Sequence, residues 1–384
     1  MRTWGRAMAV AGAAAALPVV SEVRVRRADR PSTERWRDVP VAPRGRTLLG
    51  ISFRSPQVEA LGLDQAATLQ RLLELPFDLV RIGAYWNRLE DRPGRFRPDE
   101  LDAQIDAAEA AGKRIIVCVG AVKSFGYPEF FVPAHHLRDP LPDGTLIEPE
   151  TRPALLEAAT AFVGGVVERY RDRNAIVAWQ IEHEAVDPLG VEHSWRLSER
   201  FVSREVEAAR AADPSRPIVM NGFLPTSLPV RAQQWWRTRD QGDSLSVAQR
   251  LADVVGVDFY PRHAVATVGN RTCYLDGSRT PWQQGRRRRL FAWAAEPGRR
   301  LMITEGQAEP WETVTNPPNP AGRSMYSCTA EHVIENYNQC MGWRGVDSAT
   351  PWAYLFWGAE YWLLRQRSGD PGYLDAFTRV LTEA

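Results

Sequence analysis

The sequence predicts an α/β protein that folds as a single (β/α)8 TIM barrel, and three observations support this. From about residue 47 onward, short apolar runs alternate with longer amphipathic segments. The apolar runs are continuous rather than alternating, which is typical of parallel strands covered by helices. Eight such units occupy residues 47–384, a length typical of a barrel with loop insertions. A doubly wound open sheet is the alternative. It usually has a glycine-rich loop after its first strand, and residues 51–55 (ISFRS) contain no glycine.

The first half of the chain predicts four strands with helices between them. The strands are residues 47–53, 79–85, 114–120 and 175–181. Asp64 can cap the first helix, while Pro98 opens the second and Gly112 ends it. A third helix at residues 155–171 follows a long loop, and a fourth covers residues 195–212.

The second half continues the same alternation. Its strands are residues 217–222, 254–260, 301–304 and 353–357. A helix at 282–295 separates the sixth and seventh strands, another begins near Thr329, and a last helix at 373–381 closes the chain. Residues 46–384 are therefore assigned to one barrel domain, which would be the catalytic one.

The N-terminal region predicts a targeting segment followed by a linker. Arg2 and Arg6 precede an apolar run at residues 7–20, which is long enough for a signal-peptide core but too short to span a bilayer. Four arginines then follow among residues 24–30, a charge order that opposes translocation. We interpret residues 1–20 as a signal peptide or N-terminal anchor, giving a secreted or tethered protein, with a cytoplasmic location as the alternative. The polar, Pro- and Arg-rich residues 21–45 are predicted to be a linker.

Composition and cysteine spacing exclude several classes of function. Hydrophobic residues at 44% and charged residues at 25% are ordinary for a soluble globular domain, and no integral membrane domain is predicted. The net charge of +1 gives no reason to expect a nucleic-acid partner. The four cysteines lack metal-ligand spacing, although a Cys273–Cys328 disulfide is left open. His135 and His136 lack ligand partners at a useful spacing, so no metal is expected.

Two strand ends carry the carboxylates that predict a chemistry. Barrel enzymes place their chemistry at the C-terminal ends of strands, where strand four runs into Glu182-His183-Glu184 and strand seven into Glu305. These strands face each other across the barrel mouth, so Glu184 and Glu305 can converge. Glycosidic cleavage needs two such carboxyl groups, one to protonate the leaving oxygen and one to attack or stabilise the sugar centre. Glu182, expected to point the same way as Glu184 but one pleat deeper, and Glu309, in a loop position suited to sugar binding, are the competing candidates.

Five segments in the expected order resemble clan A of the glycoside hydrolases, with families 5 and 42 the nearest. They are AIVAWQIEHE at 175–184, LMITEG at 301–306, VRIGAYWNRLE at 80–90, VDFYP at 257–261 and FW at 356–357. The resemblance covers residues 47–384. It implies a retaining (β/α)8 enzyme with Glu184 as general acid/base and Glu305 as nucleophile.

The same resemblance implies roles for other side chains. Arg81 would pair with the nucleophile, Tyr260 would hydrogen-bond it, and Trp357 would form the floor of the first sugar subsite. The clan usually has an asparagine before the acid/base, which donates to the sugar 2-hydroxyl; His183 stands there instead, and an imidazole can donate a similar bond. Tryptophans at strand ends serve as sugar platforms or pack in the core. The predicted substrate-binding set is Arg81, Trp86, Gln180, His183, Tyr260, Gln307, Trp311 and Trp357.

The sequence thus predicts a retaining hydrolase of β-linked glycosides that works by double displacement. No cofactor is needed, and the partner is an oligo- or polysaccharide. Two alternatives stay open: a transglycosidase that uses the same residues, and a non-catalytic carbohydrate-binding barrel, in which one of the two glutamates would point away from the cleft.

Overall fold

Eight parallel strands close into a barrel, each hydrogen-bonded to the next and the last to the first. The computed structural model describes residues 22–27, 34–137, 139–188, 195–268, 271–310, 327–343 and 350–384. The barrel strands are β1 (Leu48–Phe53), β2 (Leu79–Gly83), β3 (Arg114–Cys118), β4 (Ile176–Gln180), β5 (Ile218–Phe223), β6 (Val254–Phe259), β7 (Arg300–Gln307) and β8 (Ala353–Trp357). The predicted (β/α)8 fold class is confirmed.

Helices cover the outside of the barrel. In the described ranges they are α1 (Ser55–Ala60), α2 (Gln65–Leu73), α3 (Trp86–Leu89), α4 (Asp99–Ala110), α5 (Pro153–Tyr170), α6 (Glu199–Ala212), α7 (Leu228–Thr238), α8 (Ser244–Leu251), α9 (Pro281–Ala294), α10 (Ala330–Met341), α11 (Ala359–Arg367) and α12 (Gly372–Glu383). Asp64 caps α2 as predicted, since its carboxylate accepts the Ala67 N–H at 2.8 Å. The helix predicted from residue 195 begins later because Ser198 is its N-cap.

Inside the barrel, side chains change from apolar to polar along the strands. A buried apolar cluster built mainly from strand residues includes Leu79, Ile116, Ala178, Val219, Val254, Met302, Ala353 and Leu355. Strand side chains repeat with a period of two, so Arg81, Gln180 and Asn221 share the inward face of Leu79, Ala178 and Val219. The polar layer therefore lies nearer the C-terminal ends of the strands, where barrel sites are built.

A register irregularity in β7 turns two successive side chains inward. Opposite β6, Val257 pairs with Ile303 but the next residue, Asp258, pairs with Glu305. Thr304 bonds Asp258 and Glu305 bonds Arg81, so both face the barrel interior. Such bulges re-aim side chains near functional sites.

The segment predicted as a linker contributes to the fold. Residues Val23–Arg27 pair antiparallel with Arg271–Leu275, which pair in turn with His263–Val268 to give a three-stranded sheet outside the barrel. Trp36 is buried, and the Ala42 N–H donates to the Asn338 side chain. Residues 1–20, interpreted as a targeting segment, lie outside the described residues.

All four cysteines are free thiols, so the Cys273–Cys328 disulfide left open by the sequence does not form. Cys118 is buried at the end of β3. Among the described helices, none combines the length and the apolar character needed to cross a bilayer.

Candidate active site

Glu305 is a buried carboxylate held by two donors. Arg81 Nη2 donates to Oε1 at 2.7 Å, and the Tyr260 hydroxyl donates to Oε2 at 2.5 Å. His183 Nδ1 lies 3.4 Å from Oε1. Burial opposes the charge, but the Arg81 cation and the hydrogen bonds from Arg81 and the Tyr260 hydroxyl hold the pKa of Glu305 below its ordinary value. Glu305 is therefore the ionised carboxylate of the site.

Arg81 is itself fixed from three sides. It is fully buried in β2, and its guanidinium also donates to Ser52 Oγ at 3.0 Å and to Gln180 Oε1 at 3.3 Å. The Phe125 ring lies over it, with the guanidinium carbon 4.1 Å from the ring centroid. Its position relative to Glu305 is therefore fixed before any ligand binds.

Glu184 lies just beyond β4 in a backbone turn that the pattern of apolar residues in the sequence does not predict. Its φ is 44° and that of Glu182 is 54°, both in the left-handed region that L-residues rarely adopt. Lys123 Nζ stabilises this turn by donating to the carbonyls of Glu184 at 2.7 Å and Asp187 at 2.8 Å. Strained backbone of this kind is common at functional sites.

The carboxyl group of Glu184 has the opposite protonation preference to Glu305. Burial and the neighbouring charges of Asp258, Asp187, Glu305 and Glu129 raise the pKa of Glu184 well above its ordinary value. Glu184 is therefore the protonated partner of the pair, as a general acid must be.

Asp258 is a third carboxyl group of the site and is not among the residues predicted from the sequence. Its oxygens accept from Asn221 Nδ2 and from Thr304 Oγ1, both at 2.6 Å, and it is hydrogen-bonded to Glu184. Burial and the charge of Glu305 raise the pKa of Asp258 well above its ordinary value. Glu184 and Asp258 thus form a coupled pair that shares a proton and holds it more tightly than an isolated carboxyl group would.

His183 is a neutral imidazole whose tautomer follows from the hydrogen-bond network. Asn221 Oδ1 accepts from Gln180 Nε2 at 3.0 Å and from the Glu184 N–H at 3.3 Å, so its amide nitrogen faces the ring. That nitrogen lies 3.0 Å from His183 Nδ1, which must accept the bond and leaves the proton on Nε2. Burial lowers the pKa of His183 to about 4, which keeps the ring uncharged.

Seven predicted residues come together in or directly beside this mouth: Arg81, Gln180, His183, Glu184, Tyr260, Glu305 and Trp357. Trp357 is 7% exposed, with Phe125 edge-on at 6.2 Å and the Arg54 guanidinium 4.2 Å from its ring centroid.

Two of the predicted substrate-binding residues lie elsewhere. Trp86 is fully buried and stacks on Phe162 at 5.3 Å, so it packs in the layer between barrel and helices rather than in the mouth. Gln307 is also fully buried and turns away, donating to Ser327 Oγ at 3.1 Å. Trp311 lies outside the described residues.

The two competing glutamates have structural partners. The left-handed backbone rotates Glu182 away from Glu184, contrary to the expectation of a shared orientation, and its carboxylate accepts the N–H groups of Val122 and Lys123. Glu309 is buried and bound by Arg54 at 2.7 and 3.0 Å, so it lacks the exposure that a sugar-binding loop residue needs.

The residues missed by the sequence analysis had a usable signal. Asn221 and Asp258 interrupt the apolar runs IVMNGF and VVGVDF close to their C-terminal ends. A polar residue at that point of a barrel strand indicates a site. His183, Asp258 and Glu305 also place one potential ligand atom each within 4.8 Å of one another, but the Arg81 guanidinium bonded to Glu305 opposes a cation there.

Comparison with known proteins gives structural likeness only. No protein-family model and no curated protein matches the sequence. GH5_18 from Streptomyces cattleya in complex with Manβ1-4GlcNAc is similar at 16% identity and a TM-score of 0.51, over 81% of this chain and 70% of that chain. A cold-adapted β-galactosidase from Rahnella sp. R3 is similar at 12% identity and a TM-score of 0.51, over 82% of this chain and 51% of that chain. The chain therefore has the (β/α)8 barrel fold of these two structures, which is the fold that its resemblance to clan A glycoside hydrolases implied.

Proposed function

We propose that this protein is a retaining glycoside hydrolase that cleaves β-linked glycosides by double displacement. The observation that carries the proposal is that two glutamates in one barrel mouth have pKa values shifted in opposite directions. The pKa of Glu184 is raised by burial and neighbouring carboxylates, and that of Glu305 is lowered by Arg81 and Tyr260. Paired carboxyl groups whose pKa values are pushed apart take the roles of acid and nucleophile. The likeness of fold to GH5_18 and β-galactosidase structures supports a carbohydrate substrate.

In the proposed first step, Glu305 attacks the anomeric carbon and the bond to the leaving oxygen breaks. Glu184 gives its proton to that oxygen, so the leaving group departs neutral and a glycosyl ester forms on Glu305. Arg81 and Tyr260 hold the two oxygens of Glu305 in place, which limits the motion needed for attack.

In the proposed second step, Glu184 is a carboxylate and acts as a base. It takes a proton from water while the water oxygen attacks the anomeric carbon and breaks the ester to Glu305. Two displacements at one carbon give net retention of configuration. The proton taken from water leaves Glu184 protonated, so it can act as an acid in the next cycle.

His183 supports recognition of the sugar beside the nucleophile. Its Nε2–H remains available to donate, because Asn221 occupies Nδ1. The resemblance implies a donor to the sugar 2-hydroxyl at this position, and a neutral imidazole meets that need without adding a second cation beside Arg81.

The position of both glutamates favours an enzyme over a non-catalytic binding barrel. A binding barrel would leave one glutamate turned away. Here the charge of Glu305 raises the pKa of Glu184, and both contact the network of Asp258, Asn221 and His183. Transglycosylation uses the same residues and differs only in the acceptor.

We also propose that the protein is exported or tethered at its N-terminus. This proposal rests on the apolar run at residues 7–20 alone.

The test is hydrolysis of a panel of aryl β-glycosides by the wild type, Glu305→Ala and Glu184→Ala, each with and without azide. We expect Glu305→Ala to lose turnover and to regain it with azide as an α-glycosyl azide. Glu184→Ala should keep more activity on good leaving groups, which need no proton, and should give a β-glycosyl azide. In reactions with added alcohols, formation of alkyl glycosides would indicate transglycosylation, whereas formation of the free sugar would indicate hydrolysis.

Turnover that survives Glu305→Ala would contradict the assignment of the nucleophile. A first-formed product with inverted configuration, observed by NMR for the wild type, would contradict retention. Binding of an oligosaccharide without turnover would favour the non-catalytic barrel.

A further inference from the structure

A second cluster of chemically active side chains lies outside the described site. His135 and His136 form part of a short 3-10 helix, Ala134–His136, in the loop after β3. Their Nε2 atoms lie 3.2 and 3.1 Å from a single oxygen, Oε1 of Glu90, which follows α3. The sequence near this histidine pair offers no ligand partner at a useful spacing, but the fold supplies one from 45 residues upstream.

Hydrogen bonds alone account poorly for this arrangement. Oε1 of Glu90 also accepts the Gly94 N–H at 3.1 Å, so three donors would share one oxygen that has two lone pairs. Both imidazoles would also need their proton on Nε2. A cation between the three atoms removes both requirements. Each ring then offers an Nε2 lone pair to the cation, so neither ring needs a proton on Nε2 and neither donates to the Glu90 oxygen.

The spacing fits a small divalent transition-metal ion. With metal–ligand bonds of about 2.0–2.2 Å, tetrahedral coordination separates neighbouring ligand atoms by about 3.3 Å. The distances of 3.1 and 3.2 Å from Glu90 to the two rings are close to that value, and all three atoms lie within 4.8 Å of one another. Two imidazoles and one carboxylate are a ligand set that such ions favour.

The surroundings support the carboxylate and leave an open side. Trp86 Nε1 donates to Glu90 Oε2 at 2.6 Å, an outer bond that orients the ligand. Trp86 also stacks on His136 at 4.6 Å, which limits rotation of that ring. The His135 and His136 side chains are 24% and 19% exposed, so water can reach a fourth coordination position.

We infer that Glu90, His135 and His136 bind a divalent transition-metal ion, for which Zn²⁺ is the probe of choice. The ion would join the loop after β3, which carries both histidines, to the segment after β2, which carries Glu90. The same loop supplies Lys123 and Phe125 to the mouth of the barrel, where Lys123 bonds the Glu184 backbone and Phe125 covers Arg81. The ion is a structural clamp on that loop and takes no part in the reaction proposed above.

The test is calorimetric titration of chelator-treated protein with ZnCl2, together with thermal unfolding with and without the ion. We expect one equivalent bound by the wild type and a rise in Tm that grows with free zinc. The variant His135→Gln/His136→Gln should lose this equivalent and the rise in Tm, while its Tm without zinc stays close to the wild-type value because both side chains are partly exposed. Co²⁺ in place of zinc should give a visible ligand-field spectrum that the double variant lacks.

His183→Gln is the matched control, because His183 belongs to the other group of ligand atoms, with Asp258 and Glu305. It should keep the zinc equivalent. Loss of binding in His183→Gln with retention in the double variant would overturn the inference, as would the absence of zinc binding by the wild type. None of these readouts depends on turnover, so the outcome is independent of the proposed hydrolase activity.

Discussion

At the scale of residues, the candidate site places three carboxyl groups around one buried guanidinium. Arg81 bonds Glu305, whereas Asp258 and Glu184 bond each other and uncharged groups. One cation cannot balance three buried negative charges, so the hydrogen-bonded pair of Glu184 and Asp258, which does not contact the guanidinium, keeps a proton between its two carboxyl groups. This division of charge gives Glu184 its acid character.

Removal of the Asp258 charge should therefore change the pH dependence of activity. The charge of Asp258 raises the pKa of Glu184. Asp258→Asn should lower that pKa, so the basic limb of kcat/KM should move to lower pH, by about one unit or more. The measurement is kcat/KM against pH on a substrate identified by the aryl glycoside panel.

The acidic limb of the kcat/KM profile reports ionisation of Glu305, and its shift is the internal comparison for the shift of the basic limb. Glu305 also loses a neighbouring negative charge in Asp258→Asn, so any movement of its limb should likewise be toward lower pH. A basic limb that stays in place would show that Asp258 carries no charge in the working enzyme and does not raise the pKa of Glu184.

At the scale of elements, a buried acid pair joins helix α6 to the end of β4. Glu205 on α6 is fully buried; it accepts the Ala121 N–H at 3.3 Å and is hydrogen-bonded to Glu182. Burial and the charge of Glu182 raise the pKa of Glu205 well above its ordinary value. The helix is thus attached beside the turn of Glu182 and Glu184 through a shared proton.

This pair should make stability fall as pH rises. A carboxyl group with a raised pKa holds a proton in the folded state that the unfolded chain releases above about pH 4.5, so unfolding becomes more favourable at higher pH. For one proton the slope is about 1.4 kcal/mol per pH unit between the two pKa values. Glu205→Gln mimics the protonated form. It should be more stable than the wild type at pH 8 and nearly equal to it at pH 4.5, as measured by urea midpoints.

Glu207→Gln provides the matched control. Glu207 lies on the same helix with its side chain 61% exposed, in an ion pair with Arg204. Its removal should shift the midpoint little, and by a similar amount at both pH values. Equal pH slopes for Glu205→Gln and the wild type would rule out the shared proton.

At the scale of the whole molecule, the described residues before the barrel, 22–27 and 34–47, are part of the folded structure. The Val23–Arg27 strand completes an outer sheet, and the buried Glu22 beside it accepts the Leu228 N–H at 3.1 and 3.3 Å. This carboxylate lies at the N-terminus of α7, where a negative charge is stabilising. A segment near residue 22 is therefore attached to a helix of the second half of the barrel.

Glu22→Ala should loosen α7 without unfolding the barrel. A buried amide left without its acceptor costs about 1–3 kcal/mol. Hydrogen exchange measured by mass spectrometry should therefore speed up in a peptide covering α7, by roughly tenfold or more. Peptides from β1 to β4 should be unchanged. Glu296→Ala, at a glutamate 57% exposed, is the control. Unchanged exchange in α7 would show that Glu22 does not hold the helix.

Local patterns in the sequence were sufficient to predict the fold and to name a candidate pair of site residues. Apolar runs and helix caps such as Asp64 act within a few residues, so the eight strands and their order could be predicted. Because parallel strands bring their C-terminal ends to one edge, Glu184 and Glu305 could be named from strand position, and the resemblance to clan A implied the bonds from Arg81 and Tyr260 to Glu305 that the structure contains.

The remaining features were decided by contacts between segments distant in the chain. The β7 bulge that turns Thr304 and Glu305 inward depends on pairing with β6, and the rotation of Glu182 away from Glu184 depends on two left-handed residues. Trp86 is a core residue because α5 brings Phe162 onto it. Glu90 meets His135 and His136 only when two loops fold together. The sequence by itself determined the barrel and its pair of catalytic candidates because periodicity is local. Tertiary structure alone determined which other side chains join them, because side-chain direction and burial depend on partners that no local pattern identifies.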